Sequence, residues 1–488
     1  MSQLKFFKIL AVLFTGACYY FGFSLAGNMG WLIWIAPAPI LFIALKLKPG
    51  QVFLLAFIAY LIGRLSWVSY LTSVMPPVPA IGATLILPLV FALLAIGHRK
   101  VVLISNHWIS VFAFPILFTA FEYLVFIFSK DGTAASIAYT QSNYLALIQI
   151  ASKTGMLGIT FLVNFIPCAL ALAWYFREKV HVSYILLGLF AILLADTLIF
   201  GWIRLNKADT GRTLQIGMVS INEEAYHGVF RHDLGKELEL TTLYLQESEK
   251  LAGGGAEIIV LPEKAIYVRD SNTDSILQKF TTFAASHHVQ MIVGVTKQKT
   301  DYYTNNAWVI SDQGKLLADY QKVNLFEGES LEGCRPGKDI AVFLADTVKQ
   351  GVAICKDMDF QHFILGYSKQ APAILFVPAW DFVKDGWLHD RMAIMRSVEG
   401  GFSMARNARQ GRLTLSDWKG RVLYEAISEP GKRISLMGKL TVEPHPTTYA
   451  RAGDWFGTIN MFAALGLIAY MFTDRTRKRN RALYSKKK

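Results

Sequence analysis

The sequence predicts a polytopic α-helical membrane bundle of eight spans, with an α/β domain inserted between the seventh and eighth spans. Composition gives the first indication, because 53% of the 488 residues are hydrophobic and only 17% are charged. Soluble domains average about 25% charged residues. The distribution gives the second, since apolar stretches crowd before residue 205 and one more stands near the C-terminus. A disordered chain and an ordinary soluble enzyme are therefore excluded.

Each predicted span is an uncharged apolar stretch close to the roughly 20 residues that cross a bilayer. The first could also be a cleavable signal peptide, but further spans follow at once and favour a retained helix. The second is short and contains Pro37 and Pro39. The eight stretches lie at residues 6–25, 29–45, 52–71, 78–96, 108–128, 155–176, 182–202 and 455–472.

Basic residues mark alternate ends of these spans. Eight of them follow span eight in the tail 475–488. Basic loops stay on the cytoplasmic side, so both termini are expected in the cytoplasm and the inserted domain in the periplasm. The predicted parts are a seven-span region 1–207, the inserted domain 208–452, the eighth helix 453–474 and the basic tail 475–488. The remaining basic positions are Lys5 and Lys8, Lys46 and Lys48, Arg99 and Lys100, and Arg177 and Lys179.

The net charge of +13 first suggests a nucleic-acid partner. Residues 208–450, however, contain 27 Lys and Arg against 30 Asp and Glu, a net of −3, and the rest of the chain carries +16. The positive charge is thus an orientation signal, and no nucleic-acid binding is expected. Four cysteines without metal-ligand spacing predict neither a disulfide framework nor a metal site, and no cofactor is expected.

Residues 208–450 alternate short β-rich runs with amphipathic helical ones, which is typical of an α/β domain with helices covering sheet faces. Helices are predicted at 232–251, 272–287 and 388–399. Strands are predicted at 213–221, 257–261, 289–295, 307–311, 315–320, 339–345, 349–354 and 373–378.

Three predicted strands end at a reactive residue, namely Glu263, Lys322 and Cys355. Each alone has a plain structural explanation, as a solvated carboxylate, a surface lysine or a core cysteine. Together they form a chemical set. A carboxylate can take the proton of a thiol that attacks an acyl carbon, and an ammonium can stabilise the oxyanion that develops. Since α/β proteins assemble sites at strand ends, the three residues predict a covalent acyl-transfer site.

These residues lie in segments that resemble the nitrilase (carbon-nitrogen hydrolase) superfamily, and the eight spans around them resemble its membrane-embedded apolipoprotein N-acyltransferase branch. The resemblance covers essentially the whole chain and implies an αββα sandwich for the inserted domain. The matching segments are residues 261–263, 320–322, 351–355 and 389–399, with weaker matches at 406–408 and 417–421.

The resemblance implies that Glu263 is the general base, Lys322 the electrostatic support and Cys355 the nucleophile. It also implies a second glutamate after the lysine, for which Glu329 is the best match and Glu327 the competing choice. The branch follows its cysteine with Tyr and Glu, whereas this chain has Lys356 and Asp357. Asp357 keeps a carboxylate there and is expected to support the site.

The implied reaction transfers a fatty acyl chain from a phospholipid to the N-terminal amine of a diacylglyceryl-cysteine apolipoprotein, through a Cys355 thioester. The implied place is the bacterial inner membrane, with the catalytic domain in the periplasm and the enzyme as a monomer. Lys356 and Asp357 leave open a membrane-bound amidase, or an N-acyltransferase for another amine or amide. A catalytically dead scaffold is a further alternative, against which the three intact residues argue.

Overall fold

A computed structural model describes residues 3–223 and 234–485, which divide into two compact units. One unit comprises Met1–Phe128, Ala135–Ile203 and Asp454–Lys488, and the other comprises Ser129–Ala134 and Arg204–Gly453. The first residues of the helix predicted at 232–251 lie outside the described residues, as do the last three residues of the basic tail.

The first unit is helical throughout. Its helices are α1 (Gln3–Gly22), α2 (Ala38–Ala44), α3 (Pro49–Arg64), α4 (Val68–Val74), α5 (Pro77–Ser105), α6 (Ala113–Phe128), α7 (Leu145–Ile148), α8 (Ala151–Thr154), α9 (Leu157–Tyr175), α10 (Val180–Leu205) and α17 (Trp455–Ser485).

Seven helical segments of the described chain are long and apolar enough to cross a membrane, where the sequence predicted eight. The difference lies in the second stretch, which forms a 3₁₀ turn at Gly30–Trp34 followed by the seven-residue α2. Pro37 caps α2 and Pro39 lies in its first turn. Proline lacks an N–H donor and is tolerated at a helix start but not in its interior. The prediction of eight membrane-length helices is therefore not confirmed.

Helix α5 runs beyond its predicted end at residue 96 and stops at Ser105, where Asn106 adopts a left-handed conformation with φ 46°. Arg99 and Lys100 consequently belong to the last turns of this helix, and the prediction that they form a loop is wrong. Arg99 Nε donates to the carbonyl of Leu47 at 2.8 Å.

The second unit is an α/β domain. Its helices are α11 (Leu234–Gly253), α12 (Thr273–His287), α13 (Glu327–Leu331), α14 (Gln361–Gln370), α15 (Gly386–Gly400) and α16 (Thr448–Ala452). Its strands are β1 (Arg212–Ile221), β2 (Ile258–Val260), β3 (Ile266–Arg269), β4 (Gln290–Gln298), β5 (Tyr303–Ile310), β6 (Leu316–Gln321), β7 (Ala341–Ala345), β8 (Val348–Val352), β9 (Ile374–Trp380), β10 (Ser403–Arg409), β11 (Arg412–Ser416), β12 (Val422–Ile427) and β13 (Arg433–Val442).

These strands form two sheets. The first has the order β13-β1-β2-β4-β5-β6, with β3 also paired to β4, and the second has the order β12-β11-β10-β9-β8-β7. Apolar side chains fill three spaces: between the first sheet and helices α11 and α12, between the two sheets, and between the second sheet and helices α14 and α15. The unit is therefore a four-layer αββα sandwich.

Several strands of each sheet run in the same direction, so their carboxyl ends lie at one edge. In the first sheet β2 is parallel to β4, and two antiparallel pairings give β6 the same direction. In the second sheet β8, β9 and β10 are parallel. The two sheets meet at this edge, since Glu263 N–H donates to the carbonyl of Ala379 at 3.3 Å. Asn407 Nδ2 also bridges them, donating to the carbonyls of Val219 and Val260 at 2.9 and 2.7 Å.

Candidate functional site

Lys322 lies at the centre of a buried polar cluster. It directly follows β6, its side chain is only 2% exposed, and its backbone N–H donates to the carbonyl of Asn305. Its Nζ lies 2.7 Å from Glu263 Oε1 and 2.7 Å from Glu329 Oε2. The lysine is therefore held between two carboxylates that come from separate parts of the domain.

Glu263 reaches the cluster because the chain after β2 passes closely over β4. A Cβ at Gly294 would lie 2.0 Å from the carbonyl oxygen of Pro262, so only glycine leaves room for this segment. The following residue, Lys264, has φ 53°, which is uncommon for a non-glycine residue. The strained backbone of this turn therefore positions the Glu263 carboxylate.

Glu329, not Glu327, is the second glutamate of the cluster. Besides Lys322, its carboxylate contacts Lys264 Nζ at 2.8 Å and Asn305 Nδ2 at 2.8 Å, and it accepts from the N–H of Phe326 at 3.0 Å. Glu327 lies two residues away and is exposed to solvent. Of the two glutamates that the sequence offered, Glu329 is the one that contacts Lys322.

Two lysines and two glutamates give this cluster no formal net charge. Burial disfavours the Lys322 ammonium, but the carboxylates of Glu263 and Glu329 outweigh burial and raise its pKa well above the ordinary value. Burial likewise disfavours the Glu329 carboxylate, but Lys322 and Lys264 hold its pKa below the ordinary value. Both groups are therefore charged near neutral pH.

Cys355 begins a 3₁₀ turn three residues after β8 and has φ 45°. Such a conformation is uncommon for a non-glycine residue and costs about 1–3 kcal/mol. The half-buried thiol donates to the carbonyl of Trp380 at 3.6 Å. Burial, followed by the Glu263 carboxylate, raises the pKa of Cys355 well above that of a free thiol, although Lys322 opposes this. The thiol is consequently neutral at rest and must lose its proton during attack.

Asp357 ties the cysteine turn to the segment that carries the lysine. Its carboxylate accepts from the Tyr320 hydroxyl at 2.6 Å and from the Asn324 N–H at 2.8 Å, two residues on either side of Lys322. It also accepts from the Ile354 N–H at 3.0 Å, next to Cys355. Asp357 therefore fixes the cysteine relative to the lysine instead of facing a reacting group.

Lys356 lies in the same turn and is largely buried. Its Nζ contacts Asp131 Oδ1 at 2.7 Å and lies 5.5 Å from the ring centre of Phe326. The segment that contains Asp131 is packed on this turn, because Thr133 N–H donates to the carbonyl of Asp359 at 2.9 Å. Residues 129–134 are thus part of the α/β unit although they are distant from it in sequence.

Sequence reasoning missed two residues of the cluster, Asn305 and Lys264. Asn305 Nδ2 donates to Glu263 Oε1 at 2.6 Å as well as to Glu329, so it joins the two carboxylates. The available signal was the polar pair Asn305 and Asn306, which directly precedes the strand predicted at 307–311 and lies inside the observed β5. Lys264 carried no signal beyond its position next to Glu263.

The carbon-nitrogen hydrolase family model matches residues 212–458, which is just over half of the chain. The chain therefore belongs to the carbon-nitrogen hydrolase family. Residues 15–169 match a second family model, the apolipoprotein N-acyltransferase N-terminal domain.

Relatives of similar length carry both parts. The chain is 23% identical to an apolipoprotein N-acyltransferase of Geobacter metallireducens, over 90% of this chain and 91% of the relative. It is 24% identical to one of Haemophilus ducreyi, over 87% and 89%. Among solved structures, a carbon-nitrogen hydrolase from Helicobacter pylori matches 46% of this chain and 88% of its own, with 13% identity and a TM-score of 0.40.

Proposed function

We propose that this chain is an acyltransferase that transfers a fatty acyl chain from a phospholipid to the N-terminal amine of a diacylglyceryl-cysteine apolipoprotein. The observation that carries the proposal is the joint match of the membrane part and the hydrolase part to relatives that are named apolipoprotein N-acyltransferase, over nine-tenths of the chain. The buried cluster of Glu263, Lys322 and Glu329 supports it.

In the first half-reaction, the Glu263 carboxylate takes the proton of the Cys355 thiol while sulfur attacks the ester carbonyl of the donor. The Lys322 ammonium is the group that stabilises the oxyanion of the tetrahedral intermediate. Collapse of this intermediate breaks the ester C–O bond, and protonated Glu263 returns the proton to the leaving lysophospholipid alcohol. The acyl chain then remains on Cys355 as a thioester.

In the second half-reaction, the acceptor amine attacks the thioester carbonyl. Glu263 takes a proton from the attacking nitrogen, the C–S bond breaks and the thiol is reprotonated. Glu329 keeps Lys322 charged throughout, since its carboxylate lies 2.7 Å from that ammonium. Asp357 holds the cysteine turn and the lysine segment in register.

The same proposal places the chain in a bacterial inner membrane, with its α/β domain facing the periplasm and both termini in the cytoplasm. The apolar helices fit a membrane protein, and the alternation of basic residues supports this orientation. The proposed division is the sequence-derived one, with the catalytic part at 208–452, and the enzyme acts as a monomer.

Mass spectrometry of the full chain in detergent micelles tests the reaction. After incubation with phosphatidylethanolamine, the Cys355 peptide should gain the mass of one acyl chain, and neutral hydroxylamine should remove it. Cys355→Ser should abolish the adduct, whereas Cys18→Ser, in α1, should retain it. Acyl transfer that persists in Cys355→Ser would refute the nucleophile assignment.

A membrane-bound amidase is the second candidate, because Lys356 and Asp357 follow the nucleophile where the acyltransferase branch has Tyr and Glu. An amidase would form no lipid adduct and would release ammonia from small amides. Complementation of a strain depleted of its own N-acyltransferase separates the two. Failure of well-expressed wild-type protein to restore growth would contradict the lipoprotein substrate.

A further inference from the structure

Arg409 is a buried cation whose charge the described residues do not neutralise. It is the last residue of β10 and only 1% exposed. Its Nε and Nη2 atoms have no hydrogen-bond partner among the residues that the structure describes. Burial of an ion without a partner is strongly unfavourable, so this side chain requires an explanation.

Arg406, three residues earlier on the same strand, shows what a neutralised buried arginine looks like in this domain. Its Nη1 and Nη2 donate to the two carboxylate oxygens of Asp381 at 2.9 and 2.5 Å. That is the bidentate geometry in which guanidinium pairs best with an anion. Arg409 has the same burial and lacks such a carboxylate in the described part of the chain.

The contacts that Arg409 does make are uncharged. Its guanidinium carbon lies 4.4 Å from the ring centre of Trp380, and the phenol of Tyr244 is its electrostatic neighbour. Burial lowers the pKa of Arg409, and Tyr244 only partly opposes this. Stacking on an aromatic face offsets part of the desolvation of a guanidinium. It leaves Nε and Nη2, both shielded from solvent, without a hydrogen-bond acceptor in the described part of the chain.

Trp380 links this guanidinium to the nucleophile. Arg409 and Trp380 are partners in the parallel register of β10 and β9, at the carboxyl ends of both strands. The carbonyl of the same Trp380 accepts the thiol of Cys355. One tryptophan therefore contacts both the reacting sulfur and the unneutralised guanidinium.

We propose that Arg409, stacked on Trp380, binds the phosphate of the acyl donor while Cys355 attacks the donor's ester. The assignment rests on the proposed phospholipid substrate and adds a recognition element to it. A glycerophospholipid carries its esters and its phosphodiester on one three-carbon backbone, so an anion site adjacent to the nucleophile matches its spacing. Two N–H donors on one guanidinium edge match two phosphate oxygens.

The test compares two acyl donors that have the same acyl chains, one with and one without a phosphate-containing headgroup. Initial rates of Cys355 acylation are measured for the full chain in detergent, with dipalmitoylphosphatidylglycerol and with dipalmitoylglycerol. Arg409→Gln should lose roughly 10- to 100-fold in rate with the phospholipid, the range expected for charge-assisted hydrogen bonds, and should stay within about twofold with the diacylglycerol. Arg409→Lys should lose less.

Arg212→Gln is the control. Arg212 is the first residue of β1 and forms an exposed ion pair with Glu257. It should behave as wild type with both donors. The ratio of the two rates is taken within one variant, so a partly unfolded Arg409→Gln sample does not distort it. Inorganic phosphate should raise the KM for the phospholipid in wild type but not in Arg409→Gln.

An equal loss with both donors would mean that Arg409 is only structural and would overturn the assignment. If inorganic phosphate inhibits but Arg409→Gln leaves the ratio of the phospholipid rate to the diacylglycerol rate unchanged, the site binds free phosphate. That result would also overturn the assignment. Acylation by p-nitrophenyl butyrate without acylation by either lipid would refute the proposed function itself. Lipid acylation that is indifferent to Arg409 would refute this assignment alone.

Discussion

Replacement of Glu329 by glutamine is the sharpest test of the buried cluster. The substitution keeps the size of the side chain and removes one charge from a group that is 6% exposed. The cluster then keeps one carboxylate, that of Glu263 against Lys322, for two lysines, so its formal charge changes from zero to +1. The new amide also places its own N–H groups near lysine donors.

The expected magnitude follows from these contacts. Removal of one partner from a buried ion pair costs about 3–5 kcal/mol of folding stability. For a unit of this size, each kcal/mol lowers the unfolding midpoint by about 2–4 °C, so we expect a decrease of roughly 6–20 °C. Loss of the charge-assisted bond to Lys322, worth about 1.5–3 kcal/mol, should slow Cys355 acylation by about 10- to 150-fold.

The pH dependence of folding stability tests the charge of Glu329 independently. Burial raises the pKa of Glu329, but Lys322 and Lys264 outweigh burial and hold it below the ordinary value of 4.5. Ionised Glu329 therefore stabilises the fold fully above that value, and the stabilisation is lost as the pH falls through the lower folded pKa. Unfolding midpoints of wild type and Glu329→Gln should differ most at pH 7, begin to converge as the pH falls below about 4.5, and converge fully only below the folded pKa.

Glu327→Gln is the matched control, since Glu327 is two residues away and exposed. Thermal unfolding of the full chain in detergent and the rate of acyl-thioester formation are measured for both variants. Glu327→Gln should stay close to wild type in both. Equal effects of the two substitutions, or a difference between Glu329→Gln and wild type that is as large at about pH 3 as at pH 7, would refute the reasoning.

Three further substitutions probe the positions of the reacting groups. Gly294→Ala puts a methyl against the carbonyl before Glu263 and should lower acylation at least tenfold, whereas Gly253→Ala meets open space and should not. Glu263→Gln should abolish acyl transfer, because it removes the general base. It should also speed iodoacetamide alkylation of Cys355 at pH 8, because the Glu263 carboxylate, after burial, raises the pKa of the thiol. Slower alkylation would contradict this. Asp357→Asn should lower stability by about 1–3 kcal/mol, measured by thermal unfolding, and an unchanged midpoint would exclude the tie between the two segments.

The sequence was sufficient to predict that Glu263, Lys322 and Cys355 each follow an apolar strand. It was not sufficient to show that the three side chains converge, because that depends on how the two sheets pack. It was not sufficient for Asn305, since the value of an amide that joins two carboxylates depends on residues 42 and 24 positions away. Short elements were also missed, among them β3 and α14. Their few residues give little periodicity for a pattern to detect.

Segment 129–134 shows a second limit of sequence patterns. It lies between apolar stretches and was expected to be a loop of the membrane part, yet it belongs to the α/β unit. Its contacts include the ion pair of Asp131 with Lys356 and two hydrogen bonds that Thr133 donates, from its N–H and its hydroxyl, to the carbonyl of Asp359. None of these leaves a periodic trace, because each depends on chain segments more than 200 residues apart.

The broken second stretch has a consequence for the proposed orientation. Seven membrane-length helices alone would leave the two termini on opposite sides of a bilayer. Basic residues, however, stand at both ends of the pair formed by α1 and the second stretch, at Lys5 and Lys8 before it and at Lys46 and Lys48 after it. If basic ends stay in the cytoplasm, Gly30–Ala44 must cross as a 3₁₀ turn followed by a short helix. Non-helical backbone is tolerated in a membrane only where protein satisfies its polar groups. In keeping with this, the Gly30 carbonyl accepts a hydrogen bond from Gln141 Nε2 at 2.9 Å, and Trp34 Nε1 donates to Gln141 Oε1 at 2.7 Å.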